Sequence, residues 1–548
     1  MKRDWWKEVV VYQVYWRSFK DSNGDGYGDL GGVIEKLDYL SELGVDVIWL
    51  NPIYESPDCD NGYDISDYYR IMPKAGTMEQ WERLLDEVHA RGMKLIMDLV
   101  VNHTSNLHPW FLESRSSRDN SKRDWYIWRD GRNGAPPNNW RSYFTPSVWE
   151  WDEATGQYYF HSFATEQPDL NWANPQVRNA VYEMMKFWLD KGIDGFRMDA
   201  INLLAKPARF FDAEDPFHIS YLANNPGIHE YLREMHDRVL RHYDVLTVGE
   251  IPFVTPEEGL KYVGQDRREL HTLFHFQVCD EMPTWDMLRF KSIQKRWHEV
   301  FYGRGWNSQF LNNHDHTRQV TRYGNDGKYR MESAKLLATM IHTLPGIPYI
   351  YQGEEIGMTG VHFSTIESYR DIALRIRYQE EVDRGRKPDE VLAELAPLAR
   401  DNSRTPMQWD DSPNAGFTVG EPWIPVNPNY REINVEKDRA QSDSIFAYYK
   451  ALISLRRQYP ALIYGDYTDL SEGDTHLYMY TRQWQDDVFL IVLNHAESDT
   501  YFQFPEWFRD GDAHLVLANY EDQTDVTDTR LRAYEARIYA MNVVEKPV

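Results

Sequence analysis

Eight short β-rich runs, each apolar on both faces, recur along the first two-thirds of this 548-residue chain and limit its folds more than any other feature. They are VVVYQVYW (9–16), VDVIWLNPI (45–53), KLIMDLVVNH (94–103), GIDGFRMDA (192–200), VLTVGEI (245–251), LHTLFHF (270–276), SQFLNNHD (308–315) and IPYIYQG (347–353). Successive strand residues point to opposite faces, so a run without polar alternation needs cover on both sides, as in a parallel sheet. Helix-patterned segments lie between several of the runs. Thr77 and Gln80 have capping-box spacing, Met78, Trp81, Leu84, Leu85 and Val88 fall on one stripe, and Gly92 stops the segment. Asn174 and Pro175 open a second segment, with Val177, Val181, Met184, Met185 and Trp188 as its inward stripe. Eight such strands with helical crossovers predict an α/β fold, a (β/α)8 TIM barrel.

Three stretches break the pattern. Residues 104–172 are rich in Trp, Tyr, Asn, Pro and Arg and too long for a connection in a compact unit, so they predict a small inserted domain after the third strand. The barrel then divides into 1–103 and 173–464, with an irregular subdomain near 358–440. From 465 to 548 the texture becomes HLYMYTRQ, DDVFLIVLNH, AHLVLANY and ARIYAMNVV, strands punctuated by turn residues, which predict an all-β C-terminal sandwich.

Polar residues gather where the predicted strands end, the face on which such barrels carry their reactive groups. Asp98, Asn102 and His103 end the third strand, Arg197 and Asp199 the fourth, Glu250 the fifth, and Asn313, His314 and Asp315 the seventh. A lone histidine, or Asp98 by itself, reads as a satisfied structural group. Asp199, Glu250 and Asp315 read differently, because like charges and desolvation both oppose assembling three carboxylates unless chemistry requires them. No nucleophile elbow and no phosphate-cradling glycine loop accompanies them. Such a cluster suits glycoside cleavage, where one acid protonates the departing oxygen and one carboxylate faces the cation-like anomeric carbon. Arg197, two positions before Asp199 and on the same strand face, would keep that carboxylate ionised and aimed.

DLVVNH, GFRMDAIN, VGEI and NNHD, in this order, resemble the four signature regions of the α-amylase family of glycoside hydrolases. QPDLNW at 167–172, with DNGYDISDY and RDNSRTPMQWD, is similar to the oligo-1,6-glucosidase and α-glucosidase branch. The resemblance covers nearly the whole chain. It implies Asp199 as nucleophile, Glu250 as general acid and then base, and Asp315 as the residue that holds sugar hydroxyls. It implies His103, Arg197 and His314 as contacts of the glucose or the catalytic carboxyls. Asp60, Tyr63 and Arg404 would close the pocket around the non-reducing glucose and make the enzyme exo-acting, with Phe163 and Gln167 on its border and Arg400 as a further candidate or a structural ion-pair partner. Retention needs the two carboxyls about 5–5.5 Å apart, and a negative neighbour would raise Glu250 for its acid role. In this branch a Val after the nucleophile goes with α-1,6 links. Ala200 stands there, so the expectation is a retaining α-glucosidase acting on maltose-type α-1,4 substrates. Oligo-1,6-glucosidase, sucrose isomerase or transglucosylase, and trehalose-6-phosphate hydrolase are the alternatives.

DSNGDGYGD (21–29) places Asp21, Asn23 and Asp25 at alternate positions, with Tyr27 offering its carbonyl and Asp29 able to complete a shell. Gly32 stands where an EF-hand would carry its bidentate Glu, so the loop is not an EF-hand. Similar loops in the branch bind a structural ion, so the expected cofactor is Ca²⁺ or Mg²⁺, outside the chemistry.

Lys and Arg total 60 against 86 Asp and Glu, a formal charge of −26 that opposes nucleic acid and anionic membranes and suits a small neutral oligosaccharide. Cys59 and Cys279 read as thiols of a reducing compartment. The N-terminus is a poor signal peptide, which predicts a cytoplasmic protein. A monomer or homodimer is expected, although nothing in the residues fixes the oligomeric state. Non-catalytic, membrane-anchored relatives lack parts of the carboxylate set that this chain keeps.

Overall fold

The computed structural model describes residues 3–215, 219–509, 514–522 and 527–541. All eight predicted strands form: β1 Val11–Val14, β2 Val47–Leu50, β3 Lys94–Val100, β4 Gly195–Asp199, β5 Leu246–Glu250, β6 Thr272–Phe274, β7 Ser308–Gln309 and β8 Ile347–Tyr351. They make one sheet in the order β6-β5-β4-β3-β2-β1-β8-β7, every pair parallel. A parallel bridge from Leu273 to Asn307 joins its two ends, so the sheet curls into a near-barrel.

Alternation along these strands explains where the chemistry sits. Val11, Val47, Trp49, Ile96, Leu246, Val248, Phe274, Ile347 and Tyr349 form one buried cluster inside the barrel. Their neighbours Tyr12, Val14, Ile48, Leu50, Leu95, Met97, Leu99, Phe196 and Met198 belong to another, packed against the surrounding helices. Two residues beyond Ile96, Trp49 and Val248 on the inward face come Asp98, Asn51 and Glu250. The interior is therefore apolar at the strand starts and polar at their ends. Gly195 opens β4 because any Cβ there would lie 1.8 Å from the Leu246 oxygen.

Helix Met78–Ala90 carries the predicted capping box and buries Trp81, Leu84, Leu85 and Val88, leaving Met78 partly buried. Helix Pro175–Asp190 is capped by Asn174 and buries all five predicted stripe residues. Between β3 and β4 lies a three-stranded antiparallel sheet, Trp128–Arg129, Gln157–Phe160 and Trp149–Asp152, with its own core around Trp140, Trp149 and Phe160. A bridge from His103 to Asp169 ties this insertion to the end of β3. After β8, helices Ile372–Asp383 and Pro388–Leu395 share a cluster with Tyr369 and Ala399.

The C-terminal region is a five-stranded antiparallel sheet, with a two-stranded ladder pairing Thr500–Tyr501 to Arg530–Leu531. One strand, Asp466–Asp469, is absent from the sequence prediction; its alternating Asp, Tyr, Thr and Asp offer little apolar signal. Residues 542–544 of ARIYAMNVV, the start of AHLVLANY at 513, and the rest of the chain to 548 lie outside the described residues. Among the described residues no helix is long and apolar enough to cross a membrane. Cys279 is buried, Cys59 is half-buried, and the two are not bonded.

Candidate active site

A cavity of about 640 Å³ opens at the C-terminal ends of the barrel strands, lined by Asp199, Glu250 and Asp315 among others. Two different ionic arrangements meet in it. On the β3–β4–β5 side one buried guanidinium serves three carboxylates. Arg197 Nη1 donates to Asp98 Oδ1 at 2.8 Å and to Asp199 Oδ1 at 2.6 Å, and Nη2 lies 3.1 Å from Glu250 Oε2. Asp199 and Glu250 therefore hang on a single planar fork, a geometry compatible with the about 5–5.5 Å of a retaining pair. The residue pattern pairs Arg197 with Asp199, and the family resemblance makes it a contact of the glucose or the catalytic carboxyls; the structure adds Asp98 and places it on both Asp199 and Glu250. Asp98 is also held by Trp49 Nε1 at 2.7 Å, which fits its structural reading.

Burial pushes Asp199 up to about 6 while Arg197 pulls it down, so it is ionised near neutral pH. Glu250 is pushed up to about 7, first by burial, with the Asp199 charge adding to that and Arg197 opposing. The sequence expectation credited a negative neighbour for this rise; loss of water is the larger cause. Ala200, at the turn leaving β4, adopts φ 42°, ψ 38°, and its amide donates to Glu250 Oε2 at 2.8 Å. A left-handed non-glycine residue is strained, and here that turn aims an N–H at the second carboxyl.

Across the cavity the ratio reverses. Asp315 Oδ1 accepts from Arg404 Nη2 at 2.7 Å and from Arg400 Nη1 at 3.5 Å, and Oδ2 lies 3.1 Å from His314 Nε2. Burial opposes its charge, but the Arg404 and Arg400 guanidiniums, with the His314 ring beside them, outweigh burial and hold Asp315 far below the usual carboxylate range. Burial lowers His314 to about 3, so its ring is neutral. Gln13 Nε2 donates to its Nδ1 at 2.8 Å, which leaves Nε2–H to face Asp315 and Tyr63 Oη.

Arg400 also reaches Asp60 Oδ1 at 3.2 Å and Asp371 Oδ1 at 2.8 Å. Burial lowers His103, whose Nε2 sits 3.0 Å from the Tyr63 oxygen and 3.2 Å from Gln167 Nε2. Gln167 in turn donates to Asp60 Oδ2 at 3.3 Å. Of the sequence-derived binding residues, Asp60, Tyr63, His103, Phe163, Ala200 and Arg400 line the cavity. Gln167, Arg197, His314 and Arg404 stand behind its wall and hold the lining residues. The order of the two arginines is thus opposite to the sequence expectation: Arg400 faces the cavity and Arg404 braces Asp315 from behind. Lining residues that the sequence reading missed include Tyr143, Phe144, Phe253, Phe276, Asp280 and Glu281. Their one early signal is that Tyr143 and Phe144 fall in an aromatic-rich insertion next to the site.

In the 21–29 loop, burial raises Asp21, but hydrogen bonds from Thr418 and the amides of Gly24, Gly26 and Asn23 outweigh it and hold the carboxyl below its usual range. Asn23 Oδ1 and Asp25 Oδ1 each accept the amide two residues on, both at 2.9 Å. Asp29 caps the next helix through Gly32 N and also accepts from Ser22, so its carboxylate is already engaged. Among the described residues no three His, Cys, Asp or Glu side chains form a metal-ligating group. The donors present are hard oxygens, and a cation here would draw on the Asn23 carboxamide and on main-chain carbonyls beside Asp21 and Asp25.

Comparison with known proteins agrees with this geometry. Residues 13–465 match the alpha-amylase catalytic domain. The chain is 52% identical to an oligo-1,6-glucosidase of Parageobacillus thermoglucosidasius, covering 99% of this chain and 100% of that one. The crystal structure of the trehalose-6-phosphate hydrolase of Bacillus licheniformis superposes with a TM-score of 0.92 at 46% identity, over 98% of this chain and 100% of that one. The trehalulose synthase of Pseudomonas mesoacidophila does so with a TM-score of 0.95 at 40% identity, over 99% and 100%.

Proposed function

The chain belongs to the α-amylase family of glycoside hydrolases, and on that premise we propose that it is an exo-acting, retaining α-glucosidase preferring short α-1,6-linked glucosides. The observation that carries the reading is the single guanidinium shared by Asp199 and Glu250 beside a cavity that Asp315 closes from the other side. Asp199, ionised, attacks the anomeric carbon as the glycosidic bond breaks, and the Glu250 proton passes to the departing oxygen. The glycosylated Asp199 has lost its charge, so Glu250 ionises more readily and takes a proton from the water that attacks the same carbon. Asp315, locked as an anion, accepts sugar hydroxyls, and the Asp60–Arg400 pair borders the end where the non-reducing glucose would lie.

The α-1,6 preference rests on the oligo-1,6-glucosidases among the relatives. Ala200 favours the rival α-1,4 reading. A phosphorylated substrate fits less well, because Asp280 and Glu281 line the cavity and would repel it. A panel of isomaltose, maltose, sucrose, trehalose and trehalose 6-phosphate, with NMR of the first anomer released, tests these readings. Isomaltose should lead and α-glucose should appear first. A maltose preference restores the rival, and initial β-glucose removes retention.

The 21–29 loop is proposed to hold a structural Ca²⁺ or Mg²⁺ ion. Chelation should then lower the melting temperature by a few degrees through lost binding energy, and added cation should restore it. An unchanged transition in chelator counts against the ion.

A further inference from the structure

Lys206 is a cation that the carboxylate chemistry leaves unused, yet its side chain is only 8% exposed. Its ammonium directs its protons to three separate parts of the chain. Nζ lies 2.6 Å from Asp169 Oδ2 in the inserted domain, and it donates to Asn102 Oδ1 just beyond β3 at 2.9 Å and to the Leu203 carbonyl at 2.6 Å. Asp169 is fully buried and also accepts from Ser162 N and Oγ and from Asn102 Nδ2, which makes it a fixed anchor.

Leu203 ends the turn Ile201–Leu203 that follows Asp199 and Ala200. Leu203 N donates to the Ala200 oxygen at 3.0 Å, and Ala200 N donates to Glu250 Oε2 at 2.8 Å. A line of contacts therefore runs from Lys206 through Leu203 and the left-handed Ala200 to Glu250. On its other side the turn is held by Asn202, whose Nδ2 donates to the Pro252 oxygen beyond β5 at 2.8 Å. A left-handed non-glycine residue persists only where its surroundings over-determine it, and Lys206 and Asn202 supply that constraint. Three donors matched to acceptors on three elements suit the fixing of a turn better than plain stability, to which a buried ion pair adds little.

We propose that Lys206 is a positioning residue for Glu250: by holding the Leu203 carbonyl against the end of β3 and the inserted domain, it keeps the Ala200 amide on that carboxyl. The role rests on the proposed acid function of Glu250. The other charged or titratable groups around Glu250 are Arg197 and Asp199 on β4, Asp98 on β3, Asp280 and Glu281 after β6, Asp315 and His316 after β7, and Arg400 after β8. Lys206 bonds none of them, so its replacement leaves them in place. An N–H donated to a carboxylate favours the ionised form, so losing it raises Glu250.

The double variant Lys206→Met, Asp169→Asn removes the ion pair as a unit, so no unpaired charge remains to unfold the protein or to act on Glu250 through space. The alkaline limb of kcat/KM on the better disaccharide should move up by about one pH unit, the size expected for one hydrogen bond to a charged group. An unmoved limb, even with a lower melting temperature or a uniform loss of activity, would reduce Lys206 to structural support and overturn the proposal. So would a limb that moves in Lys206→Met alone and returns in the double variant, because charge and not aim would then be the cause. Glu250→Gln separates the two readings: its alkaline limb should vanish, and survival of that limb would sink the acid assignment itself, whatever Lys206 does.

Discussion

The two walls of the active-site cavity hold carboxylates of the same chemistry in opposite charge balance. On one wall Arg197 is divided among Asp98, Asp199 and Glu250. On the other, Arg404, Arg400 and the His314 ring converge on Asp315. Asp98 and Asp199 are buried and Glu250 and Asp315 half-buried, and desolvation pushes every one of them upward. The number of cations per carboxylate decides the outcome. Scarcity leaves Asp199 near 6 and Glu250 near 7, where protons can move at working pH. Surplus leaves Asp315 a permanent anion. A barrel can therefore set a proton donor and a fixed charge side by side by distributing arginines rather than by changing the acid.

Four experiments test that contrast, from the largest effect downward. Asp199→Asn removes the attacking oxygen and should cost more than about 10⁴-fold in kcat, since members of one catalytic unit fail together. Glu250→Gln should cost roughly 10²–10⁴-fold on disaccharides and much less on α-glucosyl fluoride, which needs no protonation of its leaving group. Arg197→Met should cost roughly 10²–10³-fold and lower the melting temperature, because two buried carboxylates and the half-buried Glu250 lose their cation. Arg404→Met should cost only about tenfold, since Arg400 and His314 remain on Asp315. An Arg404→Met loss as large as that of Arg197→Met would break the comparison.

The pH profile is the finest test. Activity should rise as Asp199 ionises through about 6 and fall as Glu250 ionises through about 7, giving a narrow bell whose limbs belong to the coupled pair. Arg197 lowers both groups, so Arg197→Met should move the bell to higher pH. Arg404→Met acts on a carboxyl that stays ionised, so there the bell should keep its position and the change should fall mainly on KM. Steady-state kcat/KM against pH for the three proteins checks the directions.

Much of this was legible in the sequence, and the limits have physical causes. The eight strands announce themselves because a parallel strand needs apolar residues on both faces. Asp199, Glu250 and Asp315 stand out because charge at the end of a buried run is expensive without a purpose. The sequence places Arg404 ahead of Arg400 on resemblance alone, since the two stand four residues apart on one short turn. Which of them faces the cavity is set by Asp60 and Asp371, distant in the chain. Tyr143, Phe144, Phe253 and Phe276 were hidden for another reason. Aromatic residues make up 14% of the chain, and those filling cores such as that around Trp149 look the same as those bordering a cavity. The causes of the Glu250 shift were likewise out of reach, since burial is a property of the assembled barrel.

The sharing of Arg197 also bears on how such a chain can change over generations. A lineage that gave up the Asp199 or Glu250 carboxylate would keep a buried guanidinium with fewer anions around it, a burden on the fold quite apart from the lost activity. Retiring the chemistry would therefore call for at least two substitutions in step, one of them at a position that never touches sugar. Descendants that turned to other work should carry that paired mark on β4, or on β4 and at the end of β5.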